Sequence, residues 1–346
     1  MADTPMVTIV VVPRERFGVA VESLESIVEH TERPYRLIYV DGGSPKPTAD
    51  ALRGLCAAQG FDYLRYDSYL SPNQARNIGL SRVETPYVAF VDNDVICSPG
   101  WLSTMIATAH ETGAEVIAPL ICQKRPLHTE VHQAGGLIAD DLEAFLAAAP
   151  EDRRLRDEHV HQRSKVADLA LKREETQFCE FHCVLVKRAL FDRIGPLDEA
   201  LTATREHLDF SLCVWTNGGR VVFEPKSVVT YLFPSRDTPL QRADWPFFTL
   251  RWSPVWILKS LDRFCEKWGI TNDPYVEKLR ATASWRHTVG LGRSMTAKIP
   301  FGRTIAEKAV VLPLLDLWGR RMAAQHARRS AAGPQPSHVS SPSQAA

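Results

Sequence analysis

Two aspartates one residue apart, Asp92 and Asp94, follow directly on the apolar run 87–91 and precede the breaker Ser98-Pro99-Gly100. The run has the β-branched and aromatic make-up of a buried strand. Side chains alternate along a strand, so both carboxylates project the same way if the extended form continues. Two convergent carboxylates at the carboxyl end of a buried strand suit a hard divalent cation, and a cation there suits a phosphate-bearing ligand. The competing reading is that the pair caps a helix starting near Trp101.

The elements that would position this pair alternate between strand and helix. The stretch 6–12 reads as a strand stopped by Pro13, and 17–30 carries Val21, Leu24, Ile27 and Val28 at helical spacing. A second strand over 35–40 ends in Asp41-Gly42-Gly43-Ser44, a helix over 49–59 closes at Gly60, and a short strand covers 63–66. A helix over 71–81 then leads into the strand 87–91. Such alternation predicts an open, mostly parallel central sheet flanked by helices, an α/β architecture whose ligands bind outside the carboxyl ends of the strands. The loops Pro13-Arg14-Glu15, Asp41-Gly42-Gly43 and Asp92-Asn93-Asp94 fall at that edge and are expected to meet around one ligand.

Further on, the pattern predicts a helix over 101–112, a strand over 115–119 and a turn or hairpin over 128–136. The charge-dense stretch 140–171 reads as an exposed helix or mobile excursion. A strand over 181–186, a short helix over 188–194, a helix over 206–216 and strands over 220–225 and 228–232 follow. After Pro234 the texture changes to a Trp-rich, basic and mainly helical extension. The predicted division is 1–235 for the ligand-binding and catalytic part, 236–329 for the extension and 330–346 for a disordered tail rich in Ser, Pro, Gln and Ala.

With 346 residues and 45% apolar content, the chain supports one large α/β domain and an appendage. Lys+Arg and Asp+Glu balance at 41 each, which argues against a nucleic acid partner. The charge is unevenly placed: from Lys278 to Arg329 eleven basic residues face only Glu307 and Asp316. Seven scattered cysteines without a Cys-x-x-Cys pair read as reduced thiols of a cytoplasmic protein. The apolar run at the N-terminus is too short for a signal peptide, and no stretch approaches the ~20 apolar residues of a membrane span.

The order of landmarks resembles the family 2, inverting, GT-A-type glycosyltransferases. The resemblance covers roughly 6–233. It rests on the first strand ending at Pro13, on Val40-Asp41-Gly42-Gly43-Ser44, on Ala75-Arg76-Asn77-Ile78-Gly79-Leu80 and on Phe90-Val91-Asp92-Asn93-Asp94. It continues through His132-Gln133-Ala134-Gly135-Gly136, Val184-Leu-Val-Lys-Arg188 with Ile194-Gly195-Pro196-Leu197-Asp198-Glu199, and Arg205-Glu206-His207-Leu208-Asp209.

The resemblance implies that Asp41 recognises the nucleotide base, that Arg76 accompanies the diphosphate, and that Pro13, Glu15 and Asn93 lie on the nucleotide. It further implies that Asp92 and Asp94 hold Mn²⁺ or Mg²⁺ between the phosphates. Where the family has a Glu-Asp pair opening a helix, this chain has Glu206-His207. His207 is a candidate base, since an imidazole of ordinary pKa ~6.5 is largely neutral near pH 7. Glu206 is the alternative, with Asp209 placed to orient the imidazole, and both acids also suit a helix N-terminus. Tyr231 stands where relatives often carry a histidine near the metal. His132 is either on the acceptor side or an ordinary loop histidine, and His182 reads as a core or rim histidine.

What the resemblance implies is a metal-assisted transfer from a UDP-, GDP- or dTDP-sugar to a hydroxyl of a glycan or lipid-linked acceptor, in polysaccharide, lipid-linked glycan or glycolipid assembly. The basic, Trp-rich part suits peripheral contact with an anionic inner membrane face. The altered Glu206-His207 pair and Tyr231 keep open a degenerate family member that binds without turnover. A nucleotidyltransferase is disfavoured, because no Gly-rich, Arg- or Lys-bearing loop follows the first strand.

Overall fold

The strand Val7–Val12 (β1) is buried along its whole length, with alternate side chains entering two different cores. Only a strand covered on both faces has that pattern, and it fixes a three-layer arrangement. In this computed structural model, which describes residues 4–235, 238–292, 295–296, 303–330 and 333–341, β1 lies between two parallel neighbours. They are Arg36–Gly42 (β2) on one side and Tyr87–Asp92 (β4) on the other, and Asp62–Tyr66 (β3) adds to β2, also in parallel. The carboxyl ends of β1, β2 and β4 therefore share one edge, as expected.

Helices Ala20–His30 (α1), Lys46–Gln59 (α2) and Trp101–Thr112 (α4) cover one face, and Pro72–Leu80 (α3) covers the other. Gly79 lets α3 lie flat on β1: a Cβ there would sit 2.2 Å from Val10 Cγ1. Val95–Cys97 (β5) and Val116–Gln123 (β6) continue the chain, followed by the short strands Val131–Gln133 (β7), Gly136–Leu137 (β8), Glu158–His159 (β9) and Glu174–Glu175 (β10). Cys183–Lys187 (β11) runs antiparallel between β4 and β6, which makes the sheet mixed. Helices Leu142–Ala147 (α5), Phe191–Ile194 (α6) and Glu206–Thr216 (α7) intervene before Val221–Tyr231 (β12).

Several expectations change. The extended form stops at Asp92, and Asn93-Asp94 is a turn before β5, so it is the turn that brings the two carboxylates together rather than strand alternation. Neither carboxylate caps α4, whose N-cap is Gly100 with no side-chain bond. The two strands predicted on either side of Pro225 are one, β12, with a register shift between Glu224 and Val228 that accommodates the proline. Nor is 140–171 wholly a solvated excursion: β9 pairs with β8, Leu155 is buried and the Asp157 side chain is only 4% exposed. Within the tail expected to lack structure, His338–Ser340 (β13) adds antiparallel to β3, and 331–332 and 342–346 lie outside the described residues.

Beyond β12, Trp245–Arg251 (α8), Pro254–Trp268 (α9), Pro274–Ala281 (α10) and the terminal helix Leu312–Ser330 form the expected helical part. It packs on the binding edge. Phe247 stacks on Tyr69 at 4.7 Å and on Phe17 at 6.1 Å, and Phe17 shares one apolar cluster with Phe248, Trp252 and Trp256. Among the described residues no helix is long and apolar enough to cross a membrane. Arg293 and Lys298 of the basic stretch lie outside the described residues.

Candidate functional site

β4 delivers Asp92 in register with Val12, and the Asn93 N–H donates to the Val12 carbonyl at 3.0 Å, which stitches the two strand ends together. Asp92 is fully buried with both oxygens engaged. Oδ1 accepts from Arg76 Nη2 at 3.1 Å, while Oδ2 pairs with Arg14 Nη1 at 3.1 Å and accepts from His182 Nδ1 at 3.0 Å. Burial opposes its charge, but Arg14, the His182 hydrogen bond and Arg76 hold this carboxyl well below the usual range.

Asp94 is the opposite case. It is 1% exposed and its Oδ1 has no hydrogen-bond partner. Burial, joined by the Asp92 charge and against the pull of Arg14, pushes it up to about 6. Ligand atoms of Asp92, Asp94 and His182 lie within 4.8 Å of one another. An orphaned carboxylate oxygen beside a second carboxylate and an imidazole is what a divalent cation satisfies, so these residues fit one, with Asp92 shared between it and Arg14.

The nucleotide-side candidates differ from expectation in what they touch. Arg76 does not reach toward a ligand. It is fully buried one layer below, donates to Asn73 Oδ1 and lies over the Phe181 ring at 4.0 Å, and burial brings it down to about 10. The reason is α3's seat on β1, which turns Arg76 inward onto Asp92. Asp41 is saturated: Oδ1 accepts from the Ser44 N–H at 3.0 Å, and Oδ2 accepts from Tyr63 Oη and Arg65 Nη1, both at 2.5 Å. A base reaching it must displace Arg65, which is partly exposed. Gly43, at φ 76°, makes this turn, and the Asn93 Oδ1 accepts from the Arg14 backbone N–H at 2.8 Å. Pro13 lies against Gly42, where an added Cβ would be 3.0 Å from its Cγ. Glu15 is buried under the helical part, accepting from Trp252 Nε1 at 2.6 Å and facing Arg251 Nε at 3.3 Å.

Beside this cluster opens a cavity of about 380 Å³ whose lining includes Arg14, His132, Glu180, His182, His207 and Trp252. The His207 Nε2 lies 3.7 Å from Glu180 Oε1 and 3.8 Å from Asp157 Oδ1. Burial lowers the basicity of this imidazole, but the Glu180 and Asp157 charges outweigh it and raise its pKa above the ordinary value. Glu206 also lines the cavity, with Oε1 at 3.4 Å from Arg251 Nη2 and Oε2 without a partner.

Asp209 does not orient the imidazole. Two residues along a helix face nearly opposite ways, and Asp209 accepts from Lys267 Nζ at 2.9 Å and Trp268 Nε1 at 2.8 Å on α9. Asp157, from the stretch read as solvated, takes the place expected of it. His182, expected at the core or rim, is buried at the cavity edge, where it bonds to Asp92 and stacks on the Tyr231 ring at 3.9 Å. Arg14 was visible beside Pro13 and Glu15, and its charge at a strand end was the available signal. Nothing local in the sequence marked Asp157, Glu180 or Arg251.

The model of the family described as Glycosyl transferase family 2 matches residues 8–195. An uncharacterised protein of Sinorhizobium fredii is 28% identical over 254 residues, 70% of this chain and 26% of that protein. A pre-mycofactocin glycosyltransferase of Mycobacterium tuberculosis is 33% identical over 91 residues, 26% of this chain and 19% of that protein. The chain thus spans about a quarter or less of the curated relatives it matches. A crystal structure of GalNAc-T7 with UDP, GalNAc and Mn2+ superposes with a TM-score of 0.50 at 14% identity, covering 86% of this chain and 58% of that one, a likeness of fold.

Proposed function

Since the chain belongs to glycosyl transferase family 2, we propose that it is a glycosyltransferase that moves a sugar from a nucleoside diphosphate-sugar to a hydroxyl acceptor bound in the cavity. The observation that carries this reading is the junction of the Asp92–Arg14–Asp94 cluster with a cavity that holds His207. On one side are groups suited to a diphosphate, and on the other a buried imidazole between two carboxylates.

Asp94 would hold a divalent cation together with Asp92, which when bound supplies charge neutralisation to the departing diphosphate. Arg14, the guanidinium that both pairs with Asp92 and lines the cavity, is the residue to receive the phosphates. Arg76 is a positioning residue that keeps Asp92 ionised from beneath. His207 accepts the acceptor's hydroxyl proton at Nε2, and Glu180 and Asp157 stabilise the imidazolium that forms. A base attacking through the acceptor, opposite the leaving diphosphate, makes a single displacement with inversion. Glu206 is less suited, because its Oε1 is committed to Arg251. The exposed Ile305, Val310, Leu314 and Leu317 in the basic helical part support contact with an anionic membrane face, where a lipid-linked acceptor would be met.

The deciding experiment is a thermal-shift screen of UDP, GDP, dTDP and their sugars with and without Mn²⁺ or Mg²⁺, because stabilisation follows occupancy of the native state. A shift with one nucleotide class that needs the cation, together with donor hydrolysis, is the expected result. No shift with any donor would overturn the reading. The saturation of Asp41 by Arg65 and Tyr63 favours a second reading, a binding subunit without turnover. For that subunit, a nucleotide shift without hydrolysis and indifference to His207→Ala are expected.

A further inference from the structure

We propose that His132, His159 and Glu180 form a second metal site, separate from Asp92 and Asp94, for a divalent transition-metal ion of the Zn²⁺ or Co²⁺ kind. Their ligand atoms all lie within 4.8 Å of one another, although the residues come from β7, β9 and the segment before β11. His159 Nε2 already meets Glu180 Oε1 at 2.9 Å, and the His132 and His159 ring centres are 5.2 Å apart.

The outer contacts hold His132 in the form a metal requires, and a bound ion would take the place of the proton that His159 Nε2 shares with Glu180. His132 Nδ1 faces Gln123 Oε1 at 3.2 Å. Gln123 Nε2 donates to Glu130 Oε1 at 2.5 Å, so the amide oxygen is the atom turned to the imidazole. An amide oxygen only accepts, which puts the proton on Nδ1 and leaves Nε2 with its lone pair. A ligating histidine is oriented in this way by a neighbour on its other nitrogen. The Glu180 backbone N–H is tied to Gln133 Oε1 at 3.1 Å, and Gln133 lies next to His132 in β7.

All three side chains line the cavity, so three protein ligands would leave a position open to it, with His207 Nε2 at 3.7 Å from the Glu180 carboxylate. Two nitrogens and one carboxylate are softer donors than the oxygen-rich Asp92–Asp94 pair. The second site should therefore select Zn²⁺ or Co²⁺ over Mg²⁺. This inference does not depend on the donor proposed above, since its test reads metal alone.

The test uses the full chain stripped with chelator and titrated with Co²⁺, read by visible absorption and by metal content per chain. The parent should hold Co²⁺ at this site besides any bound at the aspartate pair, and Asp94→Asn should still retain one Co²⁺ per chain. His132→Ala and His159→Ala should weaken that binding by roughly 100-fold or more, and Gln123→Ala by roughly 10- to 100-fold, because it removes only the orienting partner. Gln123→Ala also serves if a histidine variant fails to fold, as judged by circular dichroism. Loss of the Co²⁺ signal in Asp94→Asn with its retention in the Gln123 and histidine variants would assign all binding to the aspartate pair and overturn the proposal. So would the absence of bound Co²⁺ in the parent chain.

Discussion

Asp94 is a buried carboxylate whose charge is less welcome in the folded chain than in water. Its pKa rises from 3.8 to about 6 on folding. A raised carboxylate contributes stability below its unfolded value and loses it as pH climbs through the folded one. The metal-free protein should accordingly lose stability between about pH 4 and pH 7 from this group, and Asp94→Asn should remove that loss, worth on the order of 3 kcal/mol at neutral pH. Calorimetry across that range checks it; a parent and variant with parallel pH curves would count against the assignment. As the proposed base, His207 would carry the reaction's pH dependence. It must be neutral to accept a proton and its pKa is raised by Glu180 and Asp157, so the acid limb of the rate profile should lie above the ordinary imidazole value. Glu180→Gln removes one of those charges and should move the limb to lower pH. His207→Ala should reduce kcat by about 10²–10⁴.

At the scale of elements, the position of Asp92 depends on how closely α3 approaches β1. Gly79 allows that approach, and Arg76, one turn earlier, follows it into contact with Asp92. Gly79→Ala must push Val10 or the helix aside, at about 1–3 kcal/mol. Denaturant unfolding reads the loss, and nucleotide affinity should fall with it because Arg76 moves with α3. The motif Ala75-Arg76-Asn77-Ile78-Gly79 was visible in the sequence, as was the helix that it sits on. The inward direction of Arg76 was not, because it depends on a contact with a strand more than sixty residues away.

At the scale of the molecule, the helical part is built into the binding edge. Arg251 from α8 stands between Glu15 of the first loop and Glu206 of α7, all three buried. Arg251→Ala would leave the buried Glu206 without its cation and Glu15 with Arg14 alone, at about 3–5 kcal/mol, seen as a lower urea midpoint. The shared cluster of Phe17, Phe248, Trp252 and Trp256 also makes the two parts one cooperative unit. Calorimetry should show a single transition, and two resolved transitions would contradict this coupling.

The alternation of strands and helices, the shared edge of three loops and the pairing of Asp92 with Asp94 follow from local pattern, because periodicity and turn residues act over a few positions and are written in the chain itself. The environment of each carboxylate was decided only by folding. Asp41 is closed by Arg65, Asp92 is held among Arg14, Arg76 and His182, Asp94 keeps a free oxygen, and Asp209 is turned away to Lys267. These differences arise because burial and charge pairing depend on which distant segments pack together.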